Sequence, residues 1–471
     1  MIRALPPYPA YKDSGVPWLG QVPTHWEVLP FKRYFTAAMG QTILATDLQD
    51  NGEYPVFSAT EGNSYFGRIS SPRFILNSGD LVIPARGVSI GSVKIVSEPC
   101  VCTQTTIYAK RTRGVSIESK YVFYFLRGCR QWLFEYDRNA IPQLTVDQVR
   151  NNPLLVPPLP EQTAIVRFLD YMDRRIRRFI RAKQKLIKLL EEYRQALIHQ
   201  AVTGKIDVRT GKPYPSYKDS GVEWLGQVPE HWEMVPLRQL ASGFNNGTSA
   251  EQISSGTTAF PVSRIETIST GAINYEKVGF IREQNVDPRF WLQPGDILLS
   301  HINSFEMVGN CAQFLGERPL LHGMNLIRIR PKNRAVGAFM FRFMKSAAFR
   351  YEMRALCKPA INQVSVTTTA IKGIHMPLPP LPEQTAIVEY LDAQTSKLDS
   401  AIAAAHREIE LLREYRERLI ADVVTGKVDV REVAAQLPEE PPDQEAGTEE
   451  EEPVADELAT VDSQEDANGE E

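Results

Sequence analysis

Residues 11–28 read YKDSGVPWLGQVPTHWEV, and residues 217–234 read YKDSGVEWLGQVPEHWEM. The two phrases differ only at Pro17/Glu223, Thr24/Glu230 and Val28/Met234. Further out, PPLPEQTAIV begins at Pro157 and recurs unchanged at Pro379. VTGK, followed by Ile206 or Val428 and then DVR, closes each copy. These repeated words frame two dissimilar inserts, about 35–155 and 241–377. One scaffold carrying two unlike inserts predicts a bilobed, pseudo-symmetric protein with two different reading heads.

Each PPLPEQ phrase leads into a stretch without internal Gly or Pro, 161–203 and about 383–425. In the first, Ile165, Leu169, Met172, Ile176, Phe179, Lys183, Leu186, Leu190, Tyr193 and Leu197 step by alternating fours and threes, a heptad seam interrupted at Lys183. The second offers Ile387, Leu391, Leu398, Ile402, Ala405, Ile409, Leu412, Tyr415 and Leu419. Pro160 and Pro382 suit a helix start, and Gly204 and Gly426 suit a C-terminal cap. Helices of about 42 residues would reach about 63 Å. Paired antiparallel, they make a strut that acts as a ruler. The basic run Arg174, Arg175, Arg177, Arg178, Arg181, Lys183, Lys185 and Lys188 has no equivalent in the second helix. It reads first as a solvated face, with phosphate or an acidic partner surface as alternatives.

The inserts share a plan. Residues 73–96 and 289–314 each give two short apolar runs around Gly-containing turns, with Gly79-Asp80 matching Gly295-Asp296. Segments 119–135 and 336–354 are helix-like and aromatic, and AIPQLTVDQV (140–149) parallels AINQVSVTTT (360–369). The second copy stops after VTGKVDVR, whereas the first runs on through 210–216 into YKDSG. A circular order follows, with residues near Arg431 beside residues near Pro7. The repeated Trp18/Trp224 and Trp26/Trp232 read as packing anchors.

The net charge of −4 conceals two parts. From Pro438 onward there are fifteen Asp or Glu and no Lys or Arg, which leaves 42 acidic against 53 basic residues in the body. Such a body suits a polyanionic partner. The tail cannot bury enough apolar area to fold and reads as disordered and solubilising, with screening of a DNA surface as the lesser alternative. No apolar run is long enough to span a membrane and MIRALPPYPAYKDSG lacks a signal-peptide core, so a cytoplasmic protein is expected. Cys100, Cys102, Cys129, Cys311 and Cys357 show no zinc-ligand spacing and read as reduced thiols. Cys100 and Cys102 are expected on opposite sides of a strand.

The duplicated WLGQVPTHWEV/WLGQVPEHWEM phrases, the two PPLPEQTAIV phrases with their helices and the GD-containing inserts resemble the specificity subunit of type I restriction–modification systems. The resemblance covers about residues 8–431. It implies an α+β fold: two mixed α/β target recognition domains joined by two long antiparallel helices in a coiled coil, pseudo-two-fold and circularly organised. The corresponding segments are 1–156 for the first recognition domain with its N-terminal repeat, 157–209 for the first long helix and turn, 210–377 for the second domain, 378–431 for the second helix and turn, and 432–471 for a disordered acidic tail. The family's role is to read double-stranded DNA, each domain taking one half of an asymmetric bipartite site while the helices set the spacer. Implied partners are two methyltransferase subunits and, in complexes that cut, two restriction–translocation subunits. No cofactor or metal is expected in this chain; SAM, ATP and Mg2+ are expected on the partners.

Groove edges are read by Arg, Lys, Asn, Gln and Ser, while phosphate contacts fix register. Candidate DNA-binding residues in the first insert are Arg68, Arg86, Gln104 and Arg111. In the second they are Asn245, Asn246, Arg264, His301, Asn303 and Asn325. Each alone also fits a solvated surface residue or a turn-former, so the expectation rests on regions, above all Gly87–Gly91 and Asn303–Gly309. Catalytic signatures are missing from the sequence: no Walker A loop, no [DNS]PP[FY] tetrapeptide, no GxSxG, HExxH or zinc-deaminase pattern. A non-catalytic subunit is therefore expected. A two-headed protein-interaction scaffold without DNA reading is the alternative.

Overall fold

The two PPLPEQ phrases open two α-helices of 44 residues each, Leu159–Val202 and Leu381–Val424. The structure is a computed structural model and describes residues 5–60, 64–87, 89–134, 143–253, 259–360 and 363–438. It divides into unit 1, residues 1–182 and 408–471, and unit 2, residues 183–407. Each unit therefore holds half of each long helix and one insert. In unit 1 the helices meet through Asp173 and Arg416, whose Oδ1 and Nε lie 2.5 Å apart. In unit 2 they meet through Arg194 and Asp399, 3.3 Å apart. A residue late in one helix faces a residue early in the other, so the pairing in each unit is antiparallel.

The expected seam holds at Ile165, Leu169, Met172, Ile176 and Leu197, which are buried, and slips by one residue between Ile176 and Leu197. Ile176 and Ile187 are buried, whereas Phe179, Leu186 and Tyr193 are exposed. Leu189 is exposed too. Phe179/Ile180 and Leu186/Ile187 form two adjacent apolar strips, and heptad counting fits either. In the second helix Arg416 takes the inward place expected for Tyr415, which is 40% exposed. Asp173 neutralises the buried guanidinium, which offsets the cost of burying it. Ile387, Leu391, Ala405, Ile409 and Leu419 are buried as expected.

Both helices end on a glycine of positive φ, Gly204 at 72° and Gly426 at 74°. Lys205 N–H donates back to Gln200 O and Lys427 N–H to Asp422 O, each at 2.9 Å, which satisfies carbonyls the helix leaves open. A Cβ at Gly204 would lie 2.3 Å from Pro229 Cδ, and one at Gly426 2.5 Å from Pro23 Cδ. The QVP-x-HW phrase thus packs directly on each helix end. Trp26 and Trp232 are fully buried there, as packing anchors.

The same joint is built twice. In unit 2, Glu383 receives Trp232 Nε1–H at 3.0 Å, His231 Nε2 at 2.9 Å and the Tyr214 hydroxyl, with Arg209 at 3.8 Å. In unit 1, Glu161 receives Trp26 Nε1–H at 3.1 Å and His25 Nε2 at 2.8 Å, with Arg431 at 4.0 Å. Asp207 holds Arg209 as Asp429 holds Arg431. In unit 1, however, these parts come from both ends of the chain. Asp429 N–H donates to Pro6 O at 2.7 Å, and the Arg431 guanidinium lies 5.2 Å from the Tyr8 ring centre. The circular order is therefore real. The ordered chain also runs past the expected start of the tail at 432: Arg431–Gln436 is a helix with Ala434 buried, and Arg167 donates to Leu437 O at 2.6 Å. The remainder of the tail lies outside the described residues.

Each insert folds around a four-stranded antiparallel sheet of one order. In unit 1 it is Phe35–Met39, Thr106–Arg111, Leu81–Pro84, Lys94–Ile95; in unit 2 it is Ala241–Asn246, Leu326–Pro331, Ile297–Ser300, Cys311–Gln313. The Gly-Asp turns precede the third strand of each, with Gly79 at φ 87° and Gly295 at φ 98°. Asp80 Oδ2 accepts Asn77 N–H at 2.9 Å and Asp296 Oδ2 accepts Gln293 N–H at 2.8 Å, closing the turns. Helices Ser119–Gly128 and Arg334–Met344 tie the sheets to the long helices. Lys120 and Tyr124 both reach Asp170 at 2.7 Å, and Arg342 reaches Asp392.

Two expectations need correction. Cys100 and Cys102 lie in one apolar cluster with Phe57, Leu76 and Val82, while Val101 faces another with Val56 and Ile69. Residues two apart on a strand share a face. The parallel between 140–149 and 360–369 holds, from the described residues 143 and 363 onward, with a shift of two residues. Leu144 N–H donates to Ala85 O and Val366 N–H to His301 O, each at 2.9 Å. Thr145 and Thr367 then cap the next helices.

Candidate nucleic-acid interface

Backbone pairing gathers candidates at one end of each sheet. In unit 1 the third strand leaves Pro84 into Ala85 and Arg86; Ala85 N–H donates to Thr105 O at 2.9 Å, beside Gln104. Arg86 is exposed and bridges to Gln143 across the backbone. Gln104 Oε1 accepts Ile43 N–H at 3.1 Å, anchoring the loop that follows the first strand. Arg111 lies at the opposite end of Thr106–Arg111, its backbone N–H 3.4 Å from Asp80 Oδ1. Arg68 straps a turn, donating to Gly52 O at 2.7 Å and Glu53 O at 2.8 Å. The structure therefore brings Arg86 and Gln104 together and leaves Arg68 and Arg111 apart from them.

In unit 2 the gathering is fuller. Asn246 ends the first strand, and its Nδ2 donates to Met324 O at 3.0 Å and faces His301 Nε2 at 3.4 Å. His301 follows the third strand and is buried; burial pushes its pKa down, so the ring is neutral near pH 7. Asn303 Nδ2 donates to Ser300 Oγ at 3.1 Å and its Oδ1 accepts Ser304 N–H at 2.8 Å. Asn325 is exposed beside Met324 in the turn entering Leu326–Pro331. Gly323 N–H donates to Ser263 Oγ at 3.0 Å, which sets exposed Arg264 next to that turn. Asn245 is exposed and adjoins Asn246 on the strand.

Sequence reasoning passed over several neighbours. Met324 and Phe305 are each 50% exposed, and the Arg354 guanidinium stands 5.4 Å from the Phe305 ring centre. An exposed aromatic inside a loop already singled out was the available signal for Phe305. Lys94 is buried in unit 1, donates to Thr60 O at 3.1 Å, and is pushed down to about 8 by desolvation. Nothing in its sequence context marks it as buried. Among the described residues no group of three or more His, Cys, Asp or Glu could hold a metal ion, and no helix is long and apolar enough to cross a membrane.

Two sheets of one topology, each presenting polar side chains at the same end and hung from a duplicated joint, define a modular recognition protein. The chain matches the family model described as the type I restriction modification DNA specificity domain twice, at residues 23–189 and 229–411, and it belongs to that family. It is 34% identical over 208 residues to the type I restriction enzyme MjaX specificity subunit of Methanocaldococcus jannaschii, a match covering 43% of this chain and 48% of that protein. The MjaVIII specificity subunit of the same organism is 23% identical over 422 residues, covering 87% of this chain and 95% of the relative. A chain from a solved structure concerning assembly and conformational transition of a type I restriction–modification system shares the fold. It has a TM-score of 0.64 at 17% identity and covers 86% of this chain and 99% of its own length.

Proposed function

We infer that the chain is the non-catalytic DNA-specificity subunit of a type I restriction–modification complex, in which each insert reads one half of an asymmetric bipartite site. The long helices set the spacer and offer surface to two methyltransferase subunits, and two restriction–translocation subunits join in a complex that cuts. SAM, ATP and Mg2+ belong to those partners, and the complex works in the cytoplasm. The observation that carries the reading is the pair of sheets with identical strand order and unlike residues at one shared end. Conserved architecture with variable edge chemistry is what reading two different base sequences requires.

Co-expression with the cognate methyltransferase subunit, followed by genome-wide mapping of methylated adenines, tests it. A single split motif that appears only when this chain is present is expected. Methylation without any motif dependent on this chain would leave the scaffold alternative standing instead.

A further inference from the structure

We propose that Asn246 is a base-reading residue of the second head, held in place by His301, and that it selects a base bearing an exocyclic amine, adenine or cytosine. The inference rests on the DNA-reading function above and assigns one position within it.

The argument starts from hydrogen-bond inventory. A carboxamide has two N–H donors and one acceptor oxygen. The Asn246 nitrogen is occupied by Met324 O at 3.0 Å and faces His301 Nε2 at 3.4 Å, with the imidazole proton then on Nδ1. Asn246 is exposed and both of its side-chain hydrogen bonds among the described residues run through the nitrogen, which leaves the oxygen open to an incoming donor. In the major groove the amine donors are adenine N6 and cytosine N4, whereas guanine and thymine present acceptors there. An outward-fixed acceptor therefore favours the first pair and repels the second.

The support beneath Asn246 is built rather than incidental. His301 is 7% exposed, and its Nδ1 has no partner among the described residues. A buried imidazole serving one exposed amide pre-organises that amide. The other head provides the contrast. Asn246 pairs with Ile327, which pairs with Leu299; Met39 pairs with Ile107, which pairs with Ile83. Asn246 and Met39 thus occupy one position of the shared sheet. His301 and Ala85 likewise match, each accepting the N–H that precedes a capping threonine. A polar couple in one head replaces an apolar couple in the other, at positions where the backbone is the same. Residues that maintain the fold would be alike in both; residues that distinguish two targets would differ.

The test uses the full chain with its methyltransferase subunit and reads the methylated motif. N246L, which keeps the branching and number of side-chain heavy atoms, is expected to free one position of one half-site from A or C to any base, with discrimination there reduced at least tenfold and the other half-site unchanged. N246D keeps acceptor oxygens but loses both N–H contacts, to Met324 O and His301 Nε2, and is expected to weaken discrimination at that position and no other. H301A is expected to relax the same position and no other, as a positioning residue should. The inference is overturned if N246L leaves the motif intact, if the freed base is G or T, or if N246L and H301A only lower methylation evenly across all sites. Absence of a split motif with the unsubstituted chain would overturn the specificity reading itself, and this inference with it.

Discussion

The indole N–H of Trp26 donates to Oε1 of Glu161 at 3.1 Å across 135 residues, and Trp232 repeats the bond to Glu383 at 3.0 Å across 151. Almost everything between the two partners of each bond is insert. The joint therefore closes a loop whose contents can vary while its base stays fixed, which is how one framework carries two recognition surfaces.

Glu161→Ala should leave the fully buried Trp26 indole N–H without its acceptor. A loss of about 1–3 kcal/mol is expected, confined to unit 1. Glu383→Ala should produce a matching loss in unit 2. Hydrogen exchange on the full chain separates the two, and a loss spread equally over both units by either variant would contradict the joint's local role.

The Asp173–Arg416 pair, with Arg177 also 2.6 Å from Asp173, is the buried charge in the unit 1 helix pair. Asp173→Leu alone leaves Arg416 buried without its carboxylate and should cost about 3–5 kcal/mol. The double change Asp173→Leu with Arg416→Leu should recover most of that loss. Urea denaturation of the three proteins measures it, and equal stability of single and double variants would refute a direct coupling.

His322 is fully buried in the turn beside Asn325, with Nε2 2.9 Å from Leu326 O. Burial holds its pKa down, at about 4 against an ordinary 6.5. A depressed pKa means that the unfolded state takes up the proton first. Stability from the neutral ring is complete above pH 6.5 and is lost as pH falls toward 4, by about 3 kcal/mol in all. His322→Gln should flatten the stability of unit 2 across that window, as thermal unfolding at several pH values will show.

The duplicated framework, both long helices and the Gly-Asp strands were legible because each rests on local signals: repeated words, heptads, capping glycines. The helix seam was legible in period but not in phase throughout. Phe179 and Ile180 are equally apolar, and only the opposing helix decides which turns inward. Arg416 was invisible for the same reason, since a buried arginine makes sense only once Asp173 is known to face it. At the recognition edge the region could be anticipated from Asn246, His301 and Asn303. Arg68 shows the limit: an arginine whose guanidinium donates to carbonyls of its own turn, Gly52 O and Glu53 O, reads in sequence like one with no such contacts.

The central claim is that each insert reads one half-site independently of the other. Replacing residues 241–377 with a second copy of residues 35–155, and mapping methylated adenines with the cognate methyltransferase subunit, tests it directly. The expected motif is an inverted repeat of a single native half-site around a spacer. Persistence of the original asymmetric motif in the exchanged chain would contradict the claim.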